Sequence, residues 1–138
     1  MLIVADTGEL GSTRNAVAAV RARYDANPSH HQNIFNQIGA LSDAARGWLA
    51  NGAQAELGQL MHENQRLLQL LGVSTPMLDN LCAAASQSGA YGAKLTGAGT
   101  GGCMIALVDM QTAGRVQAAL LAAGAKTASI NALAPATL

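Results

Sequence analysis

Four glycines fall within six positions between Gly97 and Gly102, and no other feature of the sequence constrains the fold as strongly. Glycine costs conformational entropy, so such a density is favoured only where the backbone takes positive φ angles or lies very close to another group. Short apolar segments precede the cluster at residues 92–96 and follow it at residues 103–108. Both segments are too short for helices, so we predict two buried strands joined by a glycine loop.

The position of this loop between two strands excludes two familiar phosphate-binding motifs. A dinucleotide-binding fingerprint places its glycines before a helix whose N-terminus faces the pyrophosphate. A Walker-type loop has Lys and then Ser or Thr after its last glycine, whereas here Gly102 is followed by Cys103. Two interpretations remain open: a nest of bare amides that binds an anion such as phosphate, or a loop that packs closely against neighbouring backbone.

The composition excludes several functional classes. The 138 residues are 50% hydrophobic and carry a formal net charge of zero. Scattered Lys and Arg side chains provide no basic patch for nucleic acid or anionic lipid. The apolar runs are shorter than the roughly 18 residues that a membrane helix needs. We therefore predict neither a nucleic-acid partner nor a membrane partner.

The cysteines and histidines do not indicate a metal site. Cys82 and Cys103 form no CxxC pair, and we predict reduced thiols in the core of a cytoplasmic protein. Zinc sites need ligands at close, recurring spacings, which these residues lack. We expect His30 and His31 to form the exposed start of a helix.

Hydrophobic periodicity predicts four strands and five helices. The strands are expected at residues 2–5, 92–96, 103–108 and 125–133, and the helices at residues 13–27, 29–51, 53–71, 76–88 and 111–123. The first strand lacks alternation and is predicted to be buried on both faces. The order β-α-α-α-α-β-β-α-β predicts one α+β domain over residues 1–138, with a small antiparallel sheet and helices on one face.

Three blocks of the sequence form recognisable motifs: Lys94–Cys103 (KLTGAGTGGC), Asp6–Thr7 with Ser12–Val17 (STRNAV), and Gly58–Gln65 (GQLMHENQ) continuing to Leu71–Ser74 (LGVS). They resemble motifs of the GHMP kinases, most closely those of mevalonate kinases. Together the blocks span nearly the whole chain. The resemblance implies the ferredoxin-like C-terminal domain of this family, with extra helices inserted.

The resemblance also implies where ATP is bound. In the family, the equivalent glycine loop lies beside the nucleotide at the junction between two domains. The residues expected to contact ATP are therefore Thr96, Gly97, Ala98, Gly99, Thr100, Gly101 and Gly102.

Two other segments are candidate substrate contacts. Ser12, Thr13 and Arg14 begin a helix, where free amides and the helix dipole favour an anion. They are either ordinary caps or, as the resemblance implies, substrate-binding residues, because a threonine of this block lies at the active site of mevalonate kinases. Asn64 and Gln65 interrupt an apolar helix stripe. They belong either to a solvated face or, by the resemblance, to the substrate cleft.

The sequence departs from the family in two ways. Gly11 stands where animal mevalonate kinases have an arginine, so a cationic contact with substrate is expected from Arg14 or from another domain. The family's main phosphate-binding motif (Pro-x-x-x-Gly-Leu-Gly-Ser-Ser-Ala), its proposed catalytic aspartate and the neighbouring lysine lie in the N-terminal domain, and none occurs here. We therefore predict no catalytic residue in this chain.

The resemblance thus implies the C-terminal half of a kinase that transfers the ATP γ-phosphate to the 5-hydroxyl of mevalonate. ATP and Mg²⁺ would be held mainly by an N-terminal kinase domain, without which the chain is expected to be inactive. Phosphomevalonate, homoserine or galactose kinases, or a non-catalytic binding module of the same fold, are the alternatives. An apolar surface that faces the N-terminal domain predicts a concentration-dependent homodimer.

Overall fold

The computed structural model describes residues 1–134, and this part of the chain contains the predicted four strands and five helices in the predicted order. In chain order they are β1 (Leu2–Asp6), α1 (Thr13–Ala26), α2 (Pro28–Asn51), α3 (Gln54–Leu71), α4 (Pro76–Gln87), β2 (Gly92–Thr96), β3 (Cys103–Leu107), α5 (Ala113–Ala122) and β4 (Thr127–Asn131). The largest difference from prediction is at β4, which is two residues shorter at each end.

The four strands form one antiparallel sheet in the order β2-β3-β1-β4. The central strand β3 pairs with both of its neighbours, so that Met104 lies opposite Leu95 of β2 and Ala5 of β1. This order confirms the predicted ferredoxin-like α+β fold. It also brings the end of β1, at Asp6, directly beside the start of β3, at Cys103.

Helices α4 and α5 cover one face of this sheet. Alternate strand residues such as Ile3, Ala5 and Met104 are fully buried beneath them. The prediction that β1 is buried on both faces is wrong, because Leu2 and Val4 on the opposite face are only half-buried. Successive strand residues point to opposite faces, and none of the helices in the described chain covers this second face as α4 and α5 cover the first.

Helix α3 lies along the edge strand β2, and two glycines permit the close approach. A Cβ atom at Gly58 would collide with the carbonyl group of Tyr91, and one at Gly92 would collide with the backbone of Gly58. The helix therefore covers an edge that would otherwise present unpaired backbone groups. Helix α2 packs on α3, and α1 packs on α2.

Hydroxyl side chains cap the starts of α1 and α4. Ser12 caps α1 by accepting a hydrogen bond from the Asn15 amide at 3.3 Å, and Thr75 caps α4, whose first residue is Pro76. The expectation that His31 is exposed is wrong. Its side chain is buried, and its Nδ1 lies 3.0 Å from the Asn27 carbonyl oxygen. No helix in the described residues has the length and hydropathy to cross a bilayer.

Candidate functional site

The glycine loop, residues 97–102, connects β2 to β3 and follows an almost entirely left-handed path. Positive φ angles occur at Gly97 (82°), Gly99 (78°), Thr100 (58°), Gly101 (124°) and Gly102 (75°). Thr100 is the one residue with a side chain among them, and β-branched residues rarely adopt this region. The sequence signal for positive φ was therefore correct, and the glycines are required by the path of the backbone.

One side of the loop is held by hydrogen bonds to two other segments of the chain. The Thr100 amide donates to the Val73 carbonyl at 2.7 Å, and the Gly102 amide donates to the Glu9 carbonyl at 3.1 Å. Buried Thr7 donates to the Gly102 carbonyl twice, from its amide at 2.9 Å and from its hydroxyl at 2.8 Å. These bonds fix the loop relative to β1 and to the segment between α3 and α4.

The other side of the loop presents amides without acceptors. Within the described chain, the amides of Gly97, Ala98, Gly99 and Gly101 donate to no protein group. Backbone donors in folded proteins are nearly always paired with protein, water or ligand. These residues line a cavity of about 370 Å³, whose full lining is Gly11, Thr13, Thr96, Gly97, Ala98, Gly99, Gly101, Gly102 and Cys103. The loop thus has both of the properties that the sequence left open: close packing on one side and bare amides on the other.

Gly11 packs directly against this loop. A Cβ atom there would lie 2.9 Å from the Thr100 carbonyl oxygen and 3.1 Å from that of Gly99. A large side chain such as arginine would need the loop or the backbone of residue 11 to move. Gly11, which stands where animal mevalonate kinases have an arginine, therefore allows close backbone packing in this chain.

The start of α1 supplies one of the predicted substrate residues to the cavity. Thr13 lines it, and within the described residues the amides of Thr13 and Arg14 have no protein acceptor. The Ser12 hydroxyl is already engaged as the cap of this helix. Arg14 is exposed in the first turn and does not line the cavity.

Asn64 and Gln65 do not line the loop cavity, and their two side chains lie in different environments. Asn64 lines a separate cavity of about 200 Å³ between α2, α3 and β2, together with Lys94. Gln65 is only 6% exposed, so the solvated-face interpretation is wrong for it. Its carboxamide oxygen accepts from the Leu95 amide at 2.8 Å, which satisfies a backbone donor on the covered edge of the sheet.

The lining of the loop cavity contains no charged side chain, so any anion bound there would be held by backbone amides. No Asp, Glu or His is among the residues that line the loop cavity. Burial, with a smaller contribution from Asp6, raises the pKa of the Cys103 thiol, which therefore stays neutral. Burial lowers the pKa of Lys94, at the neighbouring cavity. Within residues 1–134, no group of three His, Cys, Asp or Glu side chains is placed to hold a metal ion.

Three residues that shape the loop were not identified from sequence. Thr7 belongs to the Asp6–Thr7 block, so the sequence motif pointed to this position. Its two hydrogen bonds to Gly102 were not predictable, because the two residues lie 95 positions apart in the sequence. Glu9 and Val73 act through their carbonyl oxygens, which carry no side-chain signature.

Comparisons with known proteins identify the family of this chain. The family model described as GHMP kinases C terminal matches residues 41–126, which is more than half of the chain. The chain belongs to the GHMP kinases. The prediction of this family from three sequence blocks is confirmed.

Relatives of this GHMP kinase chain include mevalonate kinases. The mevalonate kinase of Pyrococcus abyssi is 46% identical over 111 residues, which cover 77% of this chain and 33% of the relative. The chain therefore spans about a third of the length of the curated relative it matches. The crystal structure of L. major mevalonate kinase in complex with R-mevalonate has a TM-score of 0.89 at 30% identity, covering 93% of this chain and 40% of that one.

A third comparison shows that the fold is shared more widely. Streptococcus pneumoniae phosphomevalonate kinase in complex with phosphomevalonate and AMPPNP has a TM-score of 0.80 at 22% identity. It covers 93% of this GHMP kinase chain and 38% of that chain. At this identity the likeness establishes the fold and leaves the substrate open.

Proposed function

We propose that this chain forms the glycine-loop wall of a mevalonate kinase active site, where it contacts the phosphates of ATP during phosphorylation of the mevalonate 5-hydroxyl. The observation that carries the proposal is the set of unpartnered amides at Gly97, Ala98, Gly99 and Gly101, which line one cavity. Such amides are suitable donors for phosphate oxygens. The similarity to mevalonate kinases supports this substrate over the other members of the family.

The chemistry of phosphoryl transfer matches what these residues can supply. The reaction depends mainly on positioning and on stabilising charge on the transferred phosphoryl group. The free amides belong to a loop that the Val73 and Glu9 carbonyls already hold through Thr100 and Gly102, so little reorganisation is needed when the phosphates bind. The first turn of α1 adds two free amides and a favourable dipole, and Thr13 is the predicted substrate contact that this geometry favours most.

The donor set fits phosphate and does not fit Mg²⁺. Mg²⁺ takes hard oxygen ligands, chiefly carboxylates, water and phosphate, and no carboxylate lines the loop cavity. Mg²⁺ neutralises phosphate charge in these reactions. We therefore propose that an N-terminal kinase domain, in the two-thirds of the relatives' length that this chain does not match, holds Mg²⁺ and the catalytic base. The chain alone is then inactive.

The phosphate contact is tested at Ala98, which lines the cavity and whose φ is negative. Ala98→Asp places a carboxylate among the amides, whereas Ala98→Asn adds a similar volume without charge. We expect AMPPNP to shift the ¹⁵N–¹H resonances of residues 96–103 in the unmodified chain. Affinity should fall about tenfold in Ala98→Asp, in line with a charge interaction of about 1–2 kcal/mol, and much less in Ala98→Asn. Equal affinities in the two variants would argue against a phosphate at this loop.

The reaction is tested by a chimaera that joins this chain to the N-terminal region of the Pyrococcus abyssi mevalonate kinase. We expect ATP-dependent phosphorylation of mevalonate and little turnover of phosphomevalonate, homoserine or galactose. A preference for another of these alcohols or phosphates would overturn the substrate assignment. Activity of the 138-residue chain alone would overturn the division of the active site between two domains.

A further inference from the structure

Gln65 connects four parts of the structure through one buried carboxamide. Its Nε2 donates to Ser74 Oγ at 2.9 Å and to Asp79 Oδ1 at 3.0 Å, and its Oε1 accepts from the Leu95 amide at 2.8 Å. A carboxamide has two N–H donors, and both are used. The side chain therefore joins α3, the α3–α4 linker (residues 72–75), α4 and the edge strand β2.

Asp79 completes this network from the first turn of α4. Its Oδ1 accepts from Ser74 Oγ at 2.6 Å, from Gln69 Nε2 at 2.8 Å and from Gln65. Hydrogen bonds to an ionised carboxylate are shorter and stronger than those between neutral groups. A negative charge at a helix N-terminus is also favourable, so the first turn of α4 is a suitable position for the carboxylate that binds the linker.

The α3–α4 linker in turn holds the glycine loop at two points. The Val73 carbonyl accepts from the Thr100 amide at 2.7 Å. The Thr75 hydroxyl donates to the Glu9 carboxylate at 2.9 Å, and the Glu9 carbonyl accepts from the Gly102 amide at 3.1 Å. The residues that flank Ser74 thus contact the loop, directly on one side and through Glu9 on the other.

We infer that Gln65 and Asp79 are positioning residues for the glycine loop, given the phosphate-binding function proposed above. By fixing Ser74 they fix the neighbouring Val73 carbonyl, which sets the position of the Thr100 amide. The free amides on either side of Thr100 then keep the spacing that phosphate oxygens require. Neither Gln65 nor Asp79 lines the loop cavity, so both act through the linker.

A purely structural alternative is that Gln65 serves only to satisfy the Leu95 amide at the sheet edge. Two variants separate these roles. Gln65→Met removes all three hydrogen bonds. Gln65→Glu keeps an acceptor for Leu95 but loses the donor to Ser74, because a carboxyl group beside Asp79 carries at most one proton, which the two carboxyl groups share. The matched control is Gln117→Met, since Gln117 Nε2 donates to the Ala128 carbonyl at 2.8 Å on the opposite edge of the sheet.

The readouts are amide hydrogen exchange at Thr100 and AMPPNP affinity, both measured by NMR on the 138-residue chain. Exchange is compared with that of the β1–β3 ladder, whose amides report global opening. We expect Thr100 exchange to accelerate about tenfold relative to the ladder in both Gln65 variants, as for the loss of one hydrogen bond. AMPPNP affinity should fall by a similar factor. Gln117→Met should change neither quantity relative to the ladder.

The outcomes distinguish the inference from the function on which it depends. Unchanged Thr100 protection in both Gln65 variants, or loss in Gln65→Met alone, would overturn the positioning role. If the Gln65 variants do not fold, Ser74→Ala removes only the linker hydroxyl and must give the same acceleration at Thr100. A wild-type chain without any AMPPNP response would contradict the phosphate-binding function, while the exchange rates would still decide whether Gln65 holds the loop.

Discussion

One face of the sheet packs against α4 and α5 and forms the hydrophobic core. The opposite face has half-buried side chains, with the glycine loop at one end of its strands and an apolar groove at the other. On the covered face, Leu95 and Met104 are at most 2% exposed. On the open face, Val4 and Ile105 alternate with them and remain half-buried. Both faces have the same strands and the same hydrogen-bond ladder, so they differ in what packs against them.

This difference separates residues that stabilise the fold from those available to a ligand or partner. The groove on the open face has a volume of about 400 Å³ and is lined mainly by apolar side chains, among them Trp48, Leu49 and Ile105. The glycine loop lies beyond the other end of the same strands. Substitutions on the covered face should therefore act on stability, and those on the open face mainly on binding.

The largest expected effect is on the covered face. Met104→Ala should lower the free energy of unfolding by about 2–5 kcal/mol, because it leaves a cavity in the core. Ile105→Ala, one position along the same strand, should cost only about 1 kcal/mol, since part of its apolar surface is already exposed to water. Urea denaturation measures both values. Equal losses would mean that the two faces are covered alike.

A somewhat smaller effect is expected inside the glycine loop. Gly97 and Gly99 both have positive φ, but a Cβ at Gly99 would collide with the Val73 carbonyl, whereas nothing lies within 4 Å at Gly97. Gly97→Ala should cost about 1 kcal/mol of backbone strain. Gly99→Ala should cost about 1–3 kcal/mol more, because the linker must also move. Thermal unfolding of the two variants gives the difference, and similar melting temperatures would contradict the close contact.

These contrasts also show what the sequence could predict. The strand–loop–strand arrangement around Gly97 to Gly102 was predictable because two short apolar segments flank the glycines. The glycine cluster itself favours positive φ angles. The burial of Gln65 was not predictable, because a polar residue in a helix indicates a solvated face unless its partner is known. That partner is the Leu95 amide, 30 positions away. The half-exposure of Val4 was missed for a similar reason, since periodicity does not show which sheet face lacks a covering layer.

At high pH, titration of Cys82 and of Lys94 should change the free energy of unfolding in opposite directions. Burial on the covered face, and to a lesser extent Asp79, raises the pKa of Cys82 to about 12 from its ordinary value of 9.0. Above pH 9 the unfolded thiol releases its proton while the folded one keeps it, so stability falls between about pH 9 and 12. Burial lowers the pKa of Lys94 below 10.5, so its contribution to stability rises as pH increases towards that value.

Two variants isolate these contributions. Cys82→Ala should reduce the alkaline loss of stability, to which the raised pKa of Cys103 also contributes. Lys94→Met should remove the opposing gain and raise stability at neutral pH, where the lysine is charged and partly desolvated. Urea denaturation at several pH values between 7 and 11 measures both slopes. Identical pH profiles for the wild type and Cys82→Ala would show that this thiol of α4 is not buried in the core.

The smallest effect concerns association through the open face. Trp48 is 39% and Leu49 is 59% exposed where they border the apolar groove, and exposed apolar patches of this kind drive association. In the absence of an N-terminal domain, we expect a weak homodimer whose sedimentation coefficient rises with protein concentration. Replacing both residues with serine should abolish this rise.

Leu121→Ser is the matched control. Leu121 is 47% exposed on α5 and does not line the groove, so this substitution should leave the rise unchanged. A monomer at all concentrations would refute the dimer, and equal weakening by the control would place the contact on the helical face instead.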